Sequence, residues 1–272
     1  MTQRADRAAA ERRLARSRTE AVALIQAGAL LLNGRPVTKA SHPVAPDDDL
    51  RLNQPGPRYV SRAAHKLVSA LDAFDDVAVQ GVRALDAGAS TGGFTQVLLE
   101  RGAAEVAAVD VGHGQLVGSL RSDPRVLVRE GLNIRDLTPH DIDGPVQLVV
   151  GDLSFISLTL VLERLSQVCL PGADLMLMVK PQFEVGRHRL PKTGVVTDPH
   201  ARRDAVLSVL EAAHAQGLQR CGVARSGLEG QDGNAEFFLH LRRDTDTSRP
   251  AADPGHAQDD GAWLDAQSVD WN

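Results

Sequence analysis

The chain has 272 residues, 43% hydrophobic and 24% charged, with a formal net charge of −5, which leaves room for one typical domain plus a smaller one, each with a packed core. No apolar run approaches the roughly eighteen residues of a membrane span, and Met1-Thr2-Gln3-Arg4-Ala5-Asp6 leads into no apolar stretch, so the expectation is a cytoplasmic protein without a secretory leader. The acidic total hides a basic beginning: residues 1–40 hold Arg4, Arg7, Arg12, Arg13, Arg16, Arg18, Arg35 and Lys39 against only Asp6, Glu11 and Glu20, a local patch that fits nucleic acid as well as it fits a solvated helix face.

In chain order, Asp6 to Arg13 predicts a first helix. A second follows from Ser17, a candidate N-cap with Glu20 three residues on, to Gly28, with Val22 and Ile25 on one face. Ala29 to Leu32 reads as a strand, Asn33-Gly34 as a hairpin turn, and Arg35 to Lys39 as the return. A turn and a short strand over Val44–Leu52 close a unit assigned to residues 1–57. Pro55, Gly56 and Pro57 mark a linker, placed at 58–62. From Ser61 a helix carries Lys66, with Leu67, Ala70, Leu71 and Phe74 spaced towards a core.

Strand and helix patterns then alternate. Strands are predicted at 82–86, 105–111, 125–129, 146–151 and 174–179, with helices over 94–101, 158–168 and 200–216. Two last strands lie near 218–225 and 235–242 as potential antiparallel neighbours, and a long loop occupies 181–199. The pattern is that of an α/β domain over 63–243: a mainly parallel, Rossmann-like sheet covered on both faces, behind a small α+β domain. From 244 to 272, Asp, Ser, Pro, Gly and Ala dominate and predict a disordered tail, Trp263 and Trp271 included. Cys169 and Cys221, far apart and outside any motif, are expected as reduced, buried thiols.

The run Leu85-Asp86-Ala87-Gly88-Ala89-Ser90-Thr91-Gly92-Gly93-Phe94-Thr95 follows a strand and opens a helix. Its glycines let backbone approach a ligand, and the helix start offers free N–H groups. The pyrophosphate spacing G-x-G-x-x-G is absent. An acid on the strand, then Gly, then Gly-Gly suits a cationic, phosphate-free ligand with an amino-acid moiety, and S-adenosylmethionine fits that description. Cofactor candidates are therefore Asp86, Gly88, Ala89, Ser90, Thr91, Gly92, Gly93 and Phe94. Asp110, 22 residues after Gly88, is placed for ribose hydroxyls. Asn133 to Asp136 offers adenosine contacts, and His113 is either near the adenine or a plain loop residue. The histidines show no metal-ligand spacing, so no metal is expected.

Lys66, Asp152, Lys180 and Glu236 fall where elements meet the carboxyl ends of the strands, and a lysine ending an apolar strand is costly to bury unpaired. Here the chain resembles a known family. The pieces are Leu14-Ala15-Arg16-Ser17-Arg18, Val37-Thr38-Lys39, Val60 to Leu67, the Gly-rich turn, Gly151-Asp152-Leu153-Ser154-Phe155, Val179-Lys180-Pro181-Gln182-Phe183-Glu184, Gly194-Val195-Val196 and Gly233-Asn234-Ala235-Glu236-Phe237. Residues 61–242 resemble the FtsJ-type ribose 2′-O-methyltransferases, and 4–242 resemble the TlyA family, which adds an alpha-L RNA-binding domain shared with a small-subunit ribosomal protein. The resemblance implies a Lys-Asp-Lys-Glu tetrad at Lys66, Asp152, Lys180 and Glu236, and 2′-O-methylation of ribosomal RNA at cytidine. Two positions depart from the family: Arg13 stands where Gly is expected, weakening the first domain, and Gln96 stands where an acid is common.

A ribose hydroxyl must be oriented and relieved of its proton for in-line methyl transfer. Lys180 is the candidate base or proton-steering group, with Lys66 as the nearby cation. Asp152 would hold Lys180, and Glu236 would position Lys66 or the ribose. Arg4, Arg16, Arg18 and Lys39 would contact RNA phosphates, with strong salt dependence. The alternatives are methylation of a base amino group, for which Asp152-Leu153-Ser154-Phe155 lacks the usual prolines, and an RNA-binding assembly factor with an inactive fold. The family's haemolysin label raises membrane lysis, which no apolar segment supports. A monomer is expected, and 184–199 is either a closing loop or a passive one.

Overall fold

A computed structural model describes residues 2–15, 17–26, 28–52, 59–245 and 260–272. The chain divides into two units, Met1–Arg58 and Tyr59–Asn272.

In the first unit, β1 (Gln3–Arg4) pairs antiparallel with β4 (Pro43–Val44), flanking α1 (Ala5–Glu11) and α2 (Arg18–Gln26). Ser17 caps α2, its Oγ accepting the Glu20 N–H at 3.2 Å. β2 (Leu30–Leu32) pairs with β3 (Arg35–Pro36) and β5 (Leu50–Leu52). The hairpin turns at Asn33 (φ 50°) and Gly34 (φ 79°), the doubly left-handed geometry that an Asn-Gly pair favours. A small core of alanines with Ile25, Leu30, Val37, Val44 and Leu50 holds the unit together.

The expectation about Arg13 acquires a cause here. The Leu14 N–H returns to Ala9 O at 2.8 Å and that of Arg13 to Ala10 O at 3.2 Å, so Arg13 occupies the left-handed position that ends α1, at φ 59°. Glycine is preferred there because it has no Cβ to crowd the backbone. Arg13→Gly should stabilise this unit by about 1 kcal/mol. Slower hydrogen exchange at the α1 amides would show it, and unchanged or faster exchange would reject it.

The second unit is a seven-stranded sheet. Its strands are β6 (Arg83–Ala87), β7 (Glu105–Asp110), β8 (Val126–Glu130), β9 (Val146–Gly151), β10 (Cys169–Val179), β11 (Leu218–Arg225) and β12 (Phe237–Arg243). The order is β11-β12-β10-β9-β6-β7-β8, parallel except for β12. The chain runs outwards from β6 through β7 to β8, then restarts at β9 on the other side of β6. The crevice between the carboxyl ends of β6 and β9 is thus the topological switch point, where open α/β sheets bind ligands.

Helices α3 (Ala63–Ala73), α4 (Gly93–Glu100) and α5 (Gly118–Arg121) cover one face, and α6 (Leu162–Gln167) and α8 (Pro199–His214) the other, with a single turn α7 (Pro181–Glu184) after β10. In α3, Leu67 and Leu71 face the core, each contributing about 1.5–3 kcal/mol by burial. The helix expected over 158–168 is split: a 3-10 turn at Leu158–Leu160 precedes α6. No helix among the described residues is long and apolar enough to cross a membrane.

Three expectations are corrected. Tyr59–Arg62 is no linker: Tyr59 is buried, its ring edge-on to His65 at 5.1 Å, and the Val60 N–H donates to Gln96 Oε1 at 2.9 Å. Residues 53–58, where Pro55 and Pro57 lie, are outside the described residues, as is Arg16. Cys169 is buried but Cys221 is exposed, lying on edge strand β11; both are free.

The expectation of a disordered tail over 244–272 is corrected for its end. Its last stretch forms α9 (Asp260–Ala266) and an extended end that docks on the second unit, with Leu264 fully buried and Trp263, Val269 and Trp271 packed on the core. Residues 246–259 lie outside the description. The composition of 244–272 is polar on average, but its few apolar residues are concentrated here, where burial offsets the cost of ordering.

Candidate active site

At the switch point two cavities adjoin, of about 800 Å³ and about 570 Å³, sharing Gly88, Ser90, Asp152, Ser154 and Phe155 as a common wall. Lys66, Asp152, Lys180 and Glu236 all line the larger one. Lys66 projects from α3, Asp152 follows β9, Lys180 follows β10, and Glu236 precedes β12. They form two ion pairs. Lys66 bonds Glu236 in a contact between two nearly inaccessible side chains, 7% and 3% exposed. Lys180 Nζ lies 2.6 Å from Asp152 Oδ1, a close charge contact without directed hydrogen-bond geometry at that oxygen, and donates to Ser154 Oγ at 2.7 Å. Each lysine therefore enters the sheet end with its own carboxylate, which resolves the cost of burying it.

The Gly-rich turn forms the floor. Gly88 has φ 88°, and a Cβ there would stand 3.0 Å from Asp152 O and 3.1 Å from Leu153 Cδ2, so a side chain would be strained and would crowd the meeting of the two strand ends. Ala89, Ser90, Thr91, Gly93 and Phe94 line the larger cavity with it. Asp110 lines the smaller cavity, Oδ2 accepting the Ser90 N–H at 2.8 Å and Oδ1 that of Gly112 at 2.7 Å. Asn133 lines it too, its side chain capping the 3-10 turn Ile134–Asp136.

Two proposed cofactor residues face elsewhere. Gly92 (φ 100°) lines neither cavity; a side chain there would run into Leu116 and Leu120, so it serves the packing of α5. Asp86 is fully buried, below the turn and away from both cavities, accepting from Thr95 Oγ1 at 2.6 Å. Side chains alternate across a strand, which puts Asp86 on the α4 side with Ala84. His113 packs its ring over Gly131 and lines neither cavity.

Burial pushes the Asp86 carboxyl up to about 7, with Thr95 opposing the shift. The folded state thus holds a proton that the unfolded chain releases near pH 4, so stability falls as pH rises from about 4 to about 7 and levels off above. Asp86→Asn should remove that slope and raise the melting temperature at pH 8 relative to wild type. Parallel pH profiles for the two proteins would rule this out.

Several residues were not singled out from sequence as ligands. Phe155 is 92% exposed with φ 63°, at the wall between the cavities, its ring 5.4 Å from that of Phe183. Arg62 lines the larger cavity and donates to Glu229 O. Asn234 also lines it, 2% exposed. The strand–turn junctions holding Phe155 and Asn234 were visible as motifs; their facing was not. Glu184, on α7, holds the start of the 3-10 turn that follows the Asp152–Phe155 loop, accepting from Ser157 Oγ at 2.5 Å and from the Leu158 N–H at 2.9 Å. Among the described residues no cluster of three His, Cys, Asp or Glu side chains is arranged to hold a metal.

In the first unit Asp6 is 2% exposed and gathers Arg4 at 3.0 Å and Arg18 at 2.8 Å, whose hydrogen bonds hold its carboxyl down to about 2. Both guanidinium side chains remain more than half exposed.

The chain is similar to known proteins. Residues 59–243 match the FtsJ-like methyltransferase family and residues 3–50 the S4 domain. The chain is 51% identical, over 91% of its length and 92% of the relative's, to the 16S/23S rRNA (cytidine-2′-O)-methyltransferase TlyA of Mycobacterium tuberculosis. It is 42% identical over 85% of its length, and 82% of the relative's, to YqxC of Bacillus subtilis, a protein named as an rRNA methyltransferase. A solved structure from Streptococcus thermophilus, named as a hemolysin, superimposes over 98% of this chain and 96% of that one with a TM-score of 0.67 at 33% identity. With both domain matches in order and the relatives aligned across both units, the chain belongs to the TlyA family of FtsJ-like methyltransferases.

Proposed function

We propose that this protein transfers the methyl group of S-adenosylmethionine to a ribose 2′-hydroxyl of ribosomal RNA, at cytidine. The observation that carries the reading is the meeting of both Lys–carboxylate pairs in one cavity beside the Gly88 turn.

The residues fit the cofactor. The glycine floor admits backbone approach, and the acids Asp110 and Asp152 suit a cation with ribose hydroxyls. The smaller cavity, with Asp110 and Asn133, would hold the adenosine end, and the shared wall would bring the amino-acid end to the tetrad. When bound, S-adenosylmethionine supplies an electrophilic methyl on a sulfonium. Lys180, held by Asp152 and Ser154, orients the hydroxyl and steers its proton away as the oxygen–methyl bond forms. Lys66, held by Glu236, places positive charge in the same cavity, which favours loss of the hydroxyl proton. Phe155 and Phe183 offer an aromatic surface on which an unstacked base can rest. Arg4, Arg18 and Lys39 of the first unit supply phosphate contacts, so RNA affinity should fall steeply with salt.

The test is transfer from methyl-labelled S-adenosylmethionine to ribosomal subunits and naked ribosomal RNA, followed by nuclease digestion and nucleoside analysis. Label on a cytidine 2′-oxygen is the expected result. Label on a base would overturn the tetrad chemistry, and no label with intact cofactor binding would overturn the activity.

A further inference from the structure

Arg202, on α8, is 7% exposed, and its guanidinium reaches two separate segments. Its Nε donates to Val196 O and its Nη1 to Trp271 O, each at 2.8 Å. Val196 ends the stretch 185–196, of which Leu190 and Gly194 line the larger cavity. The Val196 N–H donates to Asn234 Oδ1 at 2.9 Å, and Asn234 Nδ2 donates to Gly194 O at 3.0 Å. Asn234 itself lines the cavity, two residues before Glu236. A continuous set of hydrogen bonds thus runs from the C-terminal segment, through one guanidinium, to the cavity wall.

Both ends of this set are held. The Trp271 ring lies 4.9 Å from that of Phe237, Asp270 pairs with Arg225 and Asp265 with Arg203, each at 2.6 Å, and Leu264 is fully buried. The stretch 185–196 has little core of its own: Val185, Val196 and the partly buried Leu190 against Ala201 and Ala205. So small an apolar cluster is a weak anchor for a twelve-residue loop. Arginine suits the junction because its planar fork presents two donors in fixed directions, whereas a lysine has one nitrogen and cannot serve two diverging carbonyls equally.

We propose that the C-terminal segment 260–272, acting through Arg202, is a positioning element for the RNA-side wall of the active site, formed by Leu190, Gly194 and Asn234. This rests on the reading that the larger cavity receives RNA. None of these three residues lines the smaller cavity or the wall it shares with the larger one, where the cofactor is placed, so the effect falls on RNA engagement and leaves cofactor binding alone.

The test uses the full chain with Arg202→Lys and, separately, Trp271→Ala, neither residue being part of the tetrad. Steady-state methyl transfer to ribosomal RNA, cofactor binding by calorimetry, and tryptic cleavage after the exposed Arg187, Arg189 and Lys192 are measured together. The expected result is a KM for RNA raised about tenfold, kcat within about threefold, unchanged cofactor affinity, and faster cleavage in the loop. An unchanged KM and unchanged loop cleavage in both variants, whatever happens to Tm, overturns the proposal, because the segment is then only a thermal staple. A fall in kcat alone overturns it equally. Should Trp271→Ala fail to fold, Arg202→Lys decides. If wild type transfers no methyl to RNA, the functional reading fails separately, and loop cleavage still decides whether the segment holds the wall.

Discussion

Lys180→Met should lower kcat for methyl transfer by about 100- to 10,000-fold while cofactor affinity stays near wild type. Methionine matches the length of the lysine stem and fits the apolar end of β10, where Val179 is fully buried, so the fold should tolerate it. What is lost is the nitrogen that lies between Asp152 and Ser154. Cofactor binding should persist because the glycine floor and Asp110 are untouched. Lys180 and Asp152 act as one unit in the chemical step, so at saturating cofactor adding Asp152→Asn to Lys180→Met should cost little more in rate than the single change. Single-turnover rates with calorimetric binding in parallel decide the matter. A kcat within about threefold of wild type would remove Lys180 from the chemistry, and a lost cofactor affinity would recast it as a binding residue.

Glu236→Ala should destabilise the second unit by about 3–5 kcal/mol, because it strands the Lys66 ammonium in a site where its side chain is only 7% exposed. For a unit of this size that corresponds to a melting temperature lower by roughly 6–20 °C. The remedy separates stability from function. Lys66→Met combined with Glu236→Ala removes both charges and should recover most of the lost stability, yet remain as impaired in methyl transfer as either single change. If Glu236→Ala melts within about 2 °C of wild type, the pair contributes nothing to stability and water in the cavity satisfies Lys66 instead. If the double variant regains activity, neither residue belongs to the reaction.

Much of this architecture is legible along the chain because its signals are local. The Asn33-Gly34 hairpin, the Ser17 cap and the Gly28 stop are set by backbone preferences that a few residues carry alone. The apolar runs of β9 and β10 announce strands covered on both faces. The Gly-rich turn and the charged residues at strand ends point to the switch point because parallel topology places ligands there whatever the fold's details.

Other placements turn on packing. The motif points Asp86 at the cofactor, and one step of strand alternation turns its side chain under α4 to Thr95. The same motif points to Gly92 as a ligand contact, whereas the space beside it is filled by Leu116 and Leu120. The composition of 244–272 suggested disorder, whereas Leu264 and Trp271 find apolar surface on a core that no local window contains.

The two-part organisation, most of the elements up to β12 and the residue types available for chemistry are legible along the chain, since these follow from short-range patterning and turn preferences. Only the tertiary structure decided which lysine meets which carboxylate, with Lys66 and Glu236 170 residues apart. It alone set Phe155 on the wall between the cavities and joined Trp271 to Val196 through Arg202. Such pairings depend on strand order, register and the packing of distant segments, and a buried charge takes whichever partner that packing brings within reach.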